Sequence, residues 1–332
     1  MRISVALAAY NGERYIEAQL RSLLEQTRRP DEVIVCDDAS TDGTCAVVER
    51  FIADNACAGW QLVRRERNVG YHHNFLDAVA RATGDVICLC DQDDMWLPDR
   101  IRRCEEVLAA HPELDGMMVG YGVIDAQGRE IPTPAGVRFV PERFDGTLVR
   151  HAPADFIGCS FTRGFSMAFR ARIRPVFAGQ PDTGRLLGHD WLIACAAALC
   201  GGFACLNEKL ALYRSHGENF SIAGAGKRRM IDAQRRLLAV QMCLDAHEAL
   251  RAWSDGLPHA DAAFRSALAR HIAFERRRLR FLRGKNPARW LALGAYLGEY
   301  RRFYRTWGGA LTIWAGDLMY TYRPARRKED GR

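Results

Sequence analysis

Three carboxylates crowd into four residues at Asp91-Gln92-Asp93-Asp94, directly after the apolar run Ile87-Cys88-Leu89-Cys90. Mutual repulsion makes such a cluster costly unless a cation stands beside it. Hard divalent ions, Mg2+ or Mn2+, take oxygen ligands and bridge carboxylates to phosphates, so the pattern points to a metal-assisted phosphate site. A solvated capping turn ahead of Pro98 is the plainer reading of the same residues. Asp37-Asp38 closes another apolar run, Glu32–Cys36. It serves either as a cap for the next helix or as a second part of one polar site. Far along the chain, Gly188-His189-Asp190-Trp191 opens a helical pattern. Asp190 there is a helix cap or a general base. His216, in the polar stretch Tyr213-Arg214-Ser215-His216-Gly217-Glu218-Asn219, is a candidate ligand.

The elements that must position these groups alternate. Ile3–Ala9 reads as a buried strand ending at Tyr10-Asn11-Gly12, and Ile16, Leu20, Leu23 and Leu24 then recur at helical spacing. Glu32–Cys36 is a second strand; the run from Asp37 to Gly43 is rich in capping residues and leads into a helix through Val47, Val48, Phe51 and Ile52. Gln61–Arg64 is a short strand, Asn74–Ala82 a helix and Asp85–Cys90 a strand. Strand–helix repetition predicts a parallel sheet covered on both faces, with its ligand crevice beyond the carboxyl ends of the strands. Tyr10-Asn11, Asp37-Asp38 and Asp91–Asp94 all fall at those ends. From Gly116 to Phe169 the pattern is turn-rich and strand-like, with a hairpin turn at Asp125-Ala126-Gln127-Gly128. Leu186–Leu199 reads as a helix and Leu206–Tyr213 as a strand. After Gly224-Ala225-Gly226 the chain is helical, broken near Pro258 and Asn286-Pro287.

With 332 residues, 48% hydrophobic and 26% charged, the chain can bury a large core, which excludes disorder and fibrous classes. Its eleven cysteines sit mostly among apolar residues, and none forms a C-x-x-C pair. A disulfide scaffold and a structural zinc site are therefore not expected. Ile3–Ala9 is too short for a signal peptide, which places the protein in the cytoplasm. The net charge of +7 is unevenly spread: residues 227–332 hold 23 Lys and Arg against 10 Asp and Glu. Such a basic tail seeks an anionic partner.

Taken in order, several segments form one pattern: Val5-Ala6-Leu7-Ala8-Ala9-Tyr10-Asn11-Gly12, Glu32-Val33-Ile34-Val35-Cys36-Asp37-Asp38-Ala39-Ser40-Thr41-Asp42-Gly43-Thr44, Asn68-Val69-Gly70, Asn74-Phe75 and Gly84-Asp85. Asp91-Gln92-Asp93-Asp94-Met95-Trp96-Leu97-Pro98, His189-Asp190-Trp191 and Leu212-Tyr213-Arg214-Ser215-His216-Gly217 complete it. Over residues 2–222 this resembles the family 2 glycosyltransferases, especially the bacterial rhamnosyltransferase-like branch of cell-surface polysaccharide synthesis. The resemblance implies an α/β GT-A fold, Rossmann-like, with a mostly parallel sheet and helices on both faces. It also implies a catalytic domain over 1–224 and a helical extension over 225–332. It places Asp37 and Asp38 on the donor's base, with Ala9, Tyr10 and Asn11 lining the nucleotide pocket and Asn68, Gly70 and Asn74 shaping the loop above it. Asp93 is implied as the metal ligand, Asp91 as the contact to ribose or a metal-bound water, and His216 as a further metal or diphosphate contact. Asp190 matches the base of inverting members, and Trp191 a wall of the acceptor pocket.

The implied reaction moves a sugar from a nucleotide-sugar donor, such as dTDP-rhamnose, to a glycan or lipid-linked acceptor, with Mg2+ or Mn2+ as cofactor. A nucleotidyltransferase or sugar-phosphate hydrolase, or a non-catalytic nucleotide-sugar-binding scaffold, are the alternatives. Leu192, where the family often has a second aromatic, and the two candidate small-residue motifs at Gly158-Cys159-Ser160 and Gly164-Phe165-Ser166-Met167 depart from the pattern near the acceptor.

In the tail, Trp290, Tyr296, Tyr300, Phe303, Tyr304, Trp307, Trp314, Tyr320 and Tyr322 stand among arginines. That composition suits peripheral contact with the inner face of the cytoplasmic membrane, and equally an ordinary helical subdomain. No motif for reading nucleic acid accompanies the charge. Trp307–Tyr320, interrupted by Asp317, is too short to span a bilayer.

Overall fold

The computed structural model describes residues 1–134, 143–158, 161–178, 188–216, 233–304 and 306–322. The chain forms β1 (Ile3–Ala9), α1 (Ile16–Leu24), β2 (Glu32–Asp37), α2 (Thr44–Asp54), β3 (Trp60–Arg64), α3 (Tyr71–Arg81) and β4 (Val86–Asp91). β5 (Met95–Trp96), α4 (Arg100–Ala110), β6 (Gly116–Ile124), β7 (Leu148–His151), β8 (Met167–Arg170), α5 (Arg174–Phe177), α6 (His189–Cys200) and β9 (Phe203–Arg214) follow. One sheet runs β3-β2-β1-β4-β8-β6-β9-β5, with β7 also paired to β9.

Every residue of β1 and β2 is buried, which is why both read as unbroken apolar runs rather than alternating ones. Ile3, Val5, Leu7, Val33 and Val35 share a core with Leu20 and Leu23 of α1, Phe51 of α2 and Ile101 of α4. The intervening residues of β1 and β2 face α3, which packs on both strands. The sheet is thus covered on both faces. β1, β2, β3 and β4 are parallel neighbours, and β6 with β9 is parallel as well. The β4–β8, β6–β8, β5–β9 and β7–β9 pairings are antiparallel, so the sheet is mixed. The Asp125–Gly128 turn closes as expected, with Gly128 N donating to Asp125 O at 3.0 Å.

The chain divides into two compact units, Met1–Ala152 with Phe161–Asn219, and Pro153–Ser160 with Phe220–Arg332. Inclusion of the short stretch Pro153–Ser160 in the second unit has no signature in the sequence. The stretch Gly217-Glu218-Asn219, the glycines at 224 and 226, and Cys159-Ser160 lie outside the described residues.

In the second unit the helices are Ala233–Asp255, Ala262–Gly284, Pro287–Ala292, Leu297–Tyr304 and Trp307–Tyr322. Their boundaries have local causes. Asp261 caps the second by accepting from Phe264 N at 2.7 Å, and Asn286, ahead of Pro287, caps the third. Asp317, an interruption in sequence terms, is fully buried and gathers Arg278 Nε at 2.7 Å, Arg278 Nη2 at 2.9 Å and Tyr300 OH at 2.6 Å. Among the described tail aromatics, Tyr300 is buried, Trp290, Tyr296, Phe303 and Trp314 are half-buried, and Trp307 and Tyr322 are exposed, so part of the aromatic content packs within the helical unit and part faces outward. Tyr300 is fully buried, and the Trp290 and Trp314 rings stack at 4.3 Å. The Tyr304 and Tyr320 side chains are outside the described set. No described helix is long and apolar enough to cross a membrane.

A second buried polar cluster joins His247, Glu275, His271 and Glu299. His247 Nδ1 lies 3.0 Å from Glu275 Oε2, and His271 Nδ1 lies 2.9 Å from Glu299 Oε2. His247, His271 and Glu275 have the proximity of a metal site. However, Gly158 N donates to His247 Nε2 at 3.0 Å, which puts the imidazole proton on Nδ1 and leaves no lone pair there for a cation. The cluster is an ion network.

Burial opposes the charge on Glu275, yet His247 and His271 together hold its carboxyl at about 2. Burial likewise opposes protonation of His271, yet Glu275 and Glu299 raise its pKa above the ordinary 6.5. The His271 contribution to stability is therefore complete below pH 6.5 and is lost as pH rises through the folded value. The melting-temperature gap between wild type and His271→Asn should accordingly be widest near pH 6 and narrow in alkali. A gap that widens with pH would contradict a protonated His271.

Candidate active site

The carboxyl ends of β1, β2 and β4 finish level, because Ala9 pairs with Asp37 and Ala8 with Asp91. At a strand spacing of about 4.8 Å, Asp37 and Asp91 flank the end of β1 at roughly 10 Å from one another. The sheet itself thus brings the two acidic clusters to one edge.

On the β2 side, Asp38 is 1% exposed and its two oxygens accept from Val69 N and Gly70 N, each at 2.8 Å. Asn68 returns a bond from Nδ2 to Asp38 O at 3.1 Å. Gly70 sits at φ +88°, a region open to glycine, and bonds both Asn68 and Asp38 through its N–H. Asp38, Asn68 and Gly70 therefore form one loop. Asp37 caps the turn after β2 through Ser40 N at 2.9 Å and borders a cleft of about 470 Å³ lined by Ala39, Ser40, Cys45, Arg64 and Arg65.

Asn74 is buried, donating to Cys36 O at 2.7 Å and accepting from Arg65 Nε at 3.2 Å. Its amide is committed to the floor beneath the loop. Ala9 is buried too and meets this region through its carbonyl, which accepts from Asp38 N at 2.9 Å. Tyr10, at 46% exposed, is the open face of the site, and Asn11 holds the adjoining turn through Thr41 N at 2.9 Å.

Gln92 escaped sequence reasoning. Its amide grips the backbone of Tyr10 at both ends, accepting from Tyr10 N at 2.8 Å and donating to Tyr10 O at 2.9 Å. An amide set among three carboxylates was the available signal.

On the acidic side, His216 Nε2 lies 2.8 Å from Asp93 Oδ2, across 123 positions of chain. Arg214 sets that meeting. Its N–H donates to Asp94 Oδ1 at 2.8 Å and its Nε to Asp93 O at 2.7 Å, and its guanidinium covers the Tyr15 ring. The Tyr15 ring in turn lies 4.9 Å from that of His216. Beneath the loop, Arg100 is fully buried over Trp96 and counters the charges of Asp91 and Asp94. Neither Arg214 nor Arg100 stood out in the sequence.

Burial, Asp93 and then Asp190 push the Asp91 carboxyl up to about 8. Asp91, Asp93 and Asp190 therefore share one field, and His216 joins them through Asp93. Asp93 and His216 are a donor pair rather than a complete cage, since among the described residues they join no group of three ligand atoms close enough to hold an ion; a hard divalent cation there would complete its shell from phosphate and water. Adjacent ligands of an octahedral ion at 2.0–2.1 Å stand about 2.9 Å apart, close to the Asp93–His216 separation.

Asp190 lies in the first turn of α6, where its Oδ1 accepts from Trp191 N at 2.8 Å. Burial raises its pKa, while Trp191 N–H, Arg163 and Thr162 pull it down. It is not the helix cap, a position held by Gly188 without a side-chain bond; from inside the first turn it faces the acidic field. Trp191 is 7% exposed, so little of the ring is open to a ligand. His189 stacks on Phe75 at 4.0 Å, and burial lowers its pKa to about 3, which keeps it neutral. Thr162 and Arg163 were not singled out in the sequence, although they precede one of the two small-residue motifs there, Gly164-Phe165-Ser166-Met167.

A mixed α/β sheet of this kind is a GT-A-like architecture. The glycosyl transferase family 2 model matches residues 4–172, and the chain belongs to that family. Uncharacterized protein Rv1520 of Mycobacterium tuberculosis is 32% identical over 222 residues, 64% of this chain and 59% of that one. The chain thus spans about three fifths of this relative's length. The dTDP-rhamnosyl transferase RfbG of Shigella flexneri is 34% identical over 105 residues, 31% of this chain and 36% of RfbG. Among solved structures, the mannosyltransferase PcManGT of Pyrobaculum calidifontis, in complex with GDP-Man and Mn2+, aligns with a TM-score of 0.55 at 20% identity. The alignment covers 97% of this chain and 88% of PcManGT, and shows the shared fold.

Proposed function

We propose that the protein transfers a hexose, with inversion, from a nucleotide sugar to a hydroxyl of a glycan or lipid-linked glycan in cell-surface polysaccharide synthesis. The observation that carries this is the meeting of Asp93 and His216 at 2.8 Å within the field that Asp91 and Asp190 share. Asp37, Asp38 and the Asn68–Gly70 loop lie along the same sheet edge, where the base and ribose of a donor can be held. A rhamnosyl donor draws support from the likeness to RfbG. Mn2+ or Mg2+, held by Asp93 and His216 with Asp91 beside it, would neutralise the diphosphate as it departs.

The chain's own residues supply the rest. Tyr10, fixed by Gln92, offers the exposed wall of the nucleotide pocket. Asp190 takes the proton of the acceptor hydroxyl as it attacks the far face of the sugar. One carboxylate is enough for this single displacement, and no covalent intermediate forms. The basic helical unit is proposed to meet the membrane on which a lipid-linked acceptor would be carried.

Arg163 lowers the pKa of Asp190. Removing its charge leaves burial less opposed, so Arg163→Met should move the acid limb of the kcat/KM–pH profile to higher pH. An unmoved limb would mean that Asp190 is not the titrating base. The whole reading is tested by incubating the protein with a panel of nucleotide sugars, Mn2+ and a lipid-linked acceptor. A glycosylated acceptor of inverted configuration is expected, and nucleotide-sugar hydrolysis unaffected by acceptor would overturn it.

A further inference from the structure

The last described helix, Trp307–Tyr322, is apolar on two sides. Ala310, Ile313, Asp317 and Thr321 form its buried side. The other side carries Trp307 at 57% exposure, Leu311 at 48%, Met319 at 61% and Tyr322 at 50%. Helical spacing aligns these four with the exposed Ala315 in one stripe. Asp317 is the sole charged residue in the sequence of this helix, and it is buried. No charge therefore faces solvent along 16 residues. A solvated surface helix ordinarily carries charge on that side, and a contiguous apolar stripe marks a surface that is used.

In the sequence, basic residues flank the helix instead. Arg301 and Arg305 precede the helix, and Arg323, Arg326, Arg327 and Lys328 follow it in the sequence. The Arg301 guanidinium lies 5.1 Å from the Trp307 ring centroid. An apolar stripe with an aromatic at either end, flanked in the sequence by basic residues, matches the boundary between headgroups and acyl chains of an anionic leaflet.

We propose that the stripe Trp307, Leu311, Met319 and Tyr322 lies on an anionic lipid surface. This deepens the membrane contact suggested above, and places it on residues other than the stacked tryptophans and Tyr300. Self-association through the same stripe is disfavoured, because residues 227–332 carry a strong excess of Lys and Arg and two copies would repel.

The test is co-sedimentation of the full chain with vesicles of phosphatidylcholine alone and of phosphatidylcholine mixed with phosphatidylglycerol, without any sugar nucleotide. Wild type should pellet with the anionic vesicles and not with the neutral ones. Leu311→Ser with Met319→Ser should weaken that binding about tenfold. The nucleotide-induced thermal shift should stay unchanged in this variant, which shows that it folds and keeps failure here separate from failure of the transfer reading. Equal pelleting of variant and wild type would overturn the proposal, as would wild type remaining in the supernatant. A wild-type dimer that the variant converts to monomer would overturn it in favour of a second copy.

Discussion

Asp190→Asn should lower kcat by about a thousandfold, within the range by which a positioned general base contributes, while leaving nucleotide affinity nearly unchanged. The substitution is close to isosteric, and the amide oxygen can still accept from Trp191 N in the first turn of α6. What should disappear, on the proposed role of Asp190, is the capacity to receive the acceptor's proton. Burial keeps the wild-type carboxyl raised above the ordinary carboxylate value, whereas Arg163 and Thr162 restrain the rise. Single-turnover transfer beside a nucleotide titration separates the two effects. Activity within tenfold of wild type would remove Asp190 from the chemistry and revive the reading of a binding scaffold.

The second large effect concerns Asp93. Asp93→Ala should abolish the part of nucleotide binding that depends on Mn2+, a loss of about a hundredfold where charge-assisted contacts to phosphate are removed. The local fold should survive, because the Asp93 carbonyl still accepts from Arg214 Nε and Asp94 still accepts from Arg214 N. Thermal shifts with nucleoside diphosphates, with and without Mn2+, report this directly, since ligand binding to the folded form raises its stability by mass action. In wild type the metal should enlarge the shift, and in Asp93→Ala the two curves should coincide. Turnover that continues undiminished in a chelator would dismiss the cation from the mechanism.

These two variants differ in what they leave behind. On the proposed roles the first should keep donor binding and lose the chemical step, and the second should lose the metal-dependent part of donor binding. That contrast follows from position. Asp190 comes from the start of α6 and contacts the field from one side, whereas Asp93 lies in the loop after β4, against His216.

Much of the first unit was legible in the chain. The runs Ile3–Ala9, Glu32–Cys36 and Asp85–Cys90 are apolar because strands buried on both faces have no solvent side, and all three form the parallel centre of the sheet. The polar residues that end them could only fall at the carboxyl edge. Later strands were harder to place. β8 has four residues and runs antiparallel between β4 and β6, a reversal of direction that local composition does not encode. In the tail, aromatic content was plain, but its use was not. Trp290 and Trp314, both half-buried, stack on one another, while Leu311 and Met319, which no composition rule selected, stand exposed.

The sequence by itself determined the alternating framework, the acidic clusters at its strand ends and the candidate residues Asp93, Asp190 and His216, because burial period and residue chemistry are local properties. The tertiary structure alone decided which of them meet. The 2.8 Å approach of His216 to Asp93, the grip of Gln92 on Tyr10 and the buried Arg100 all depend on loops folding back over long stretches of chain. Such meetings are set by packing between distant elements, and no spacing along the chain carries that information.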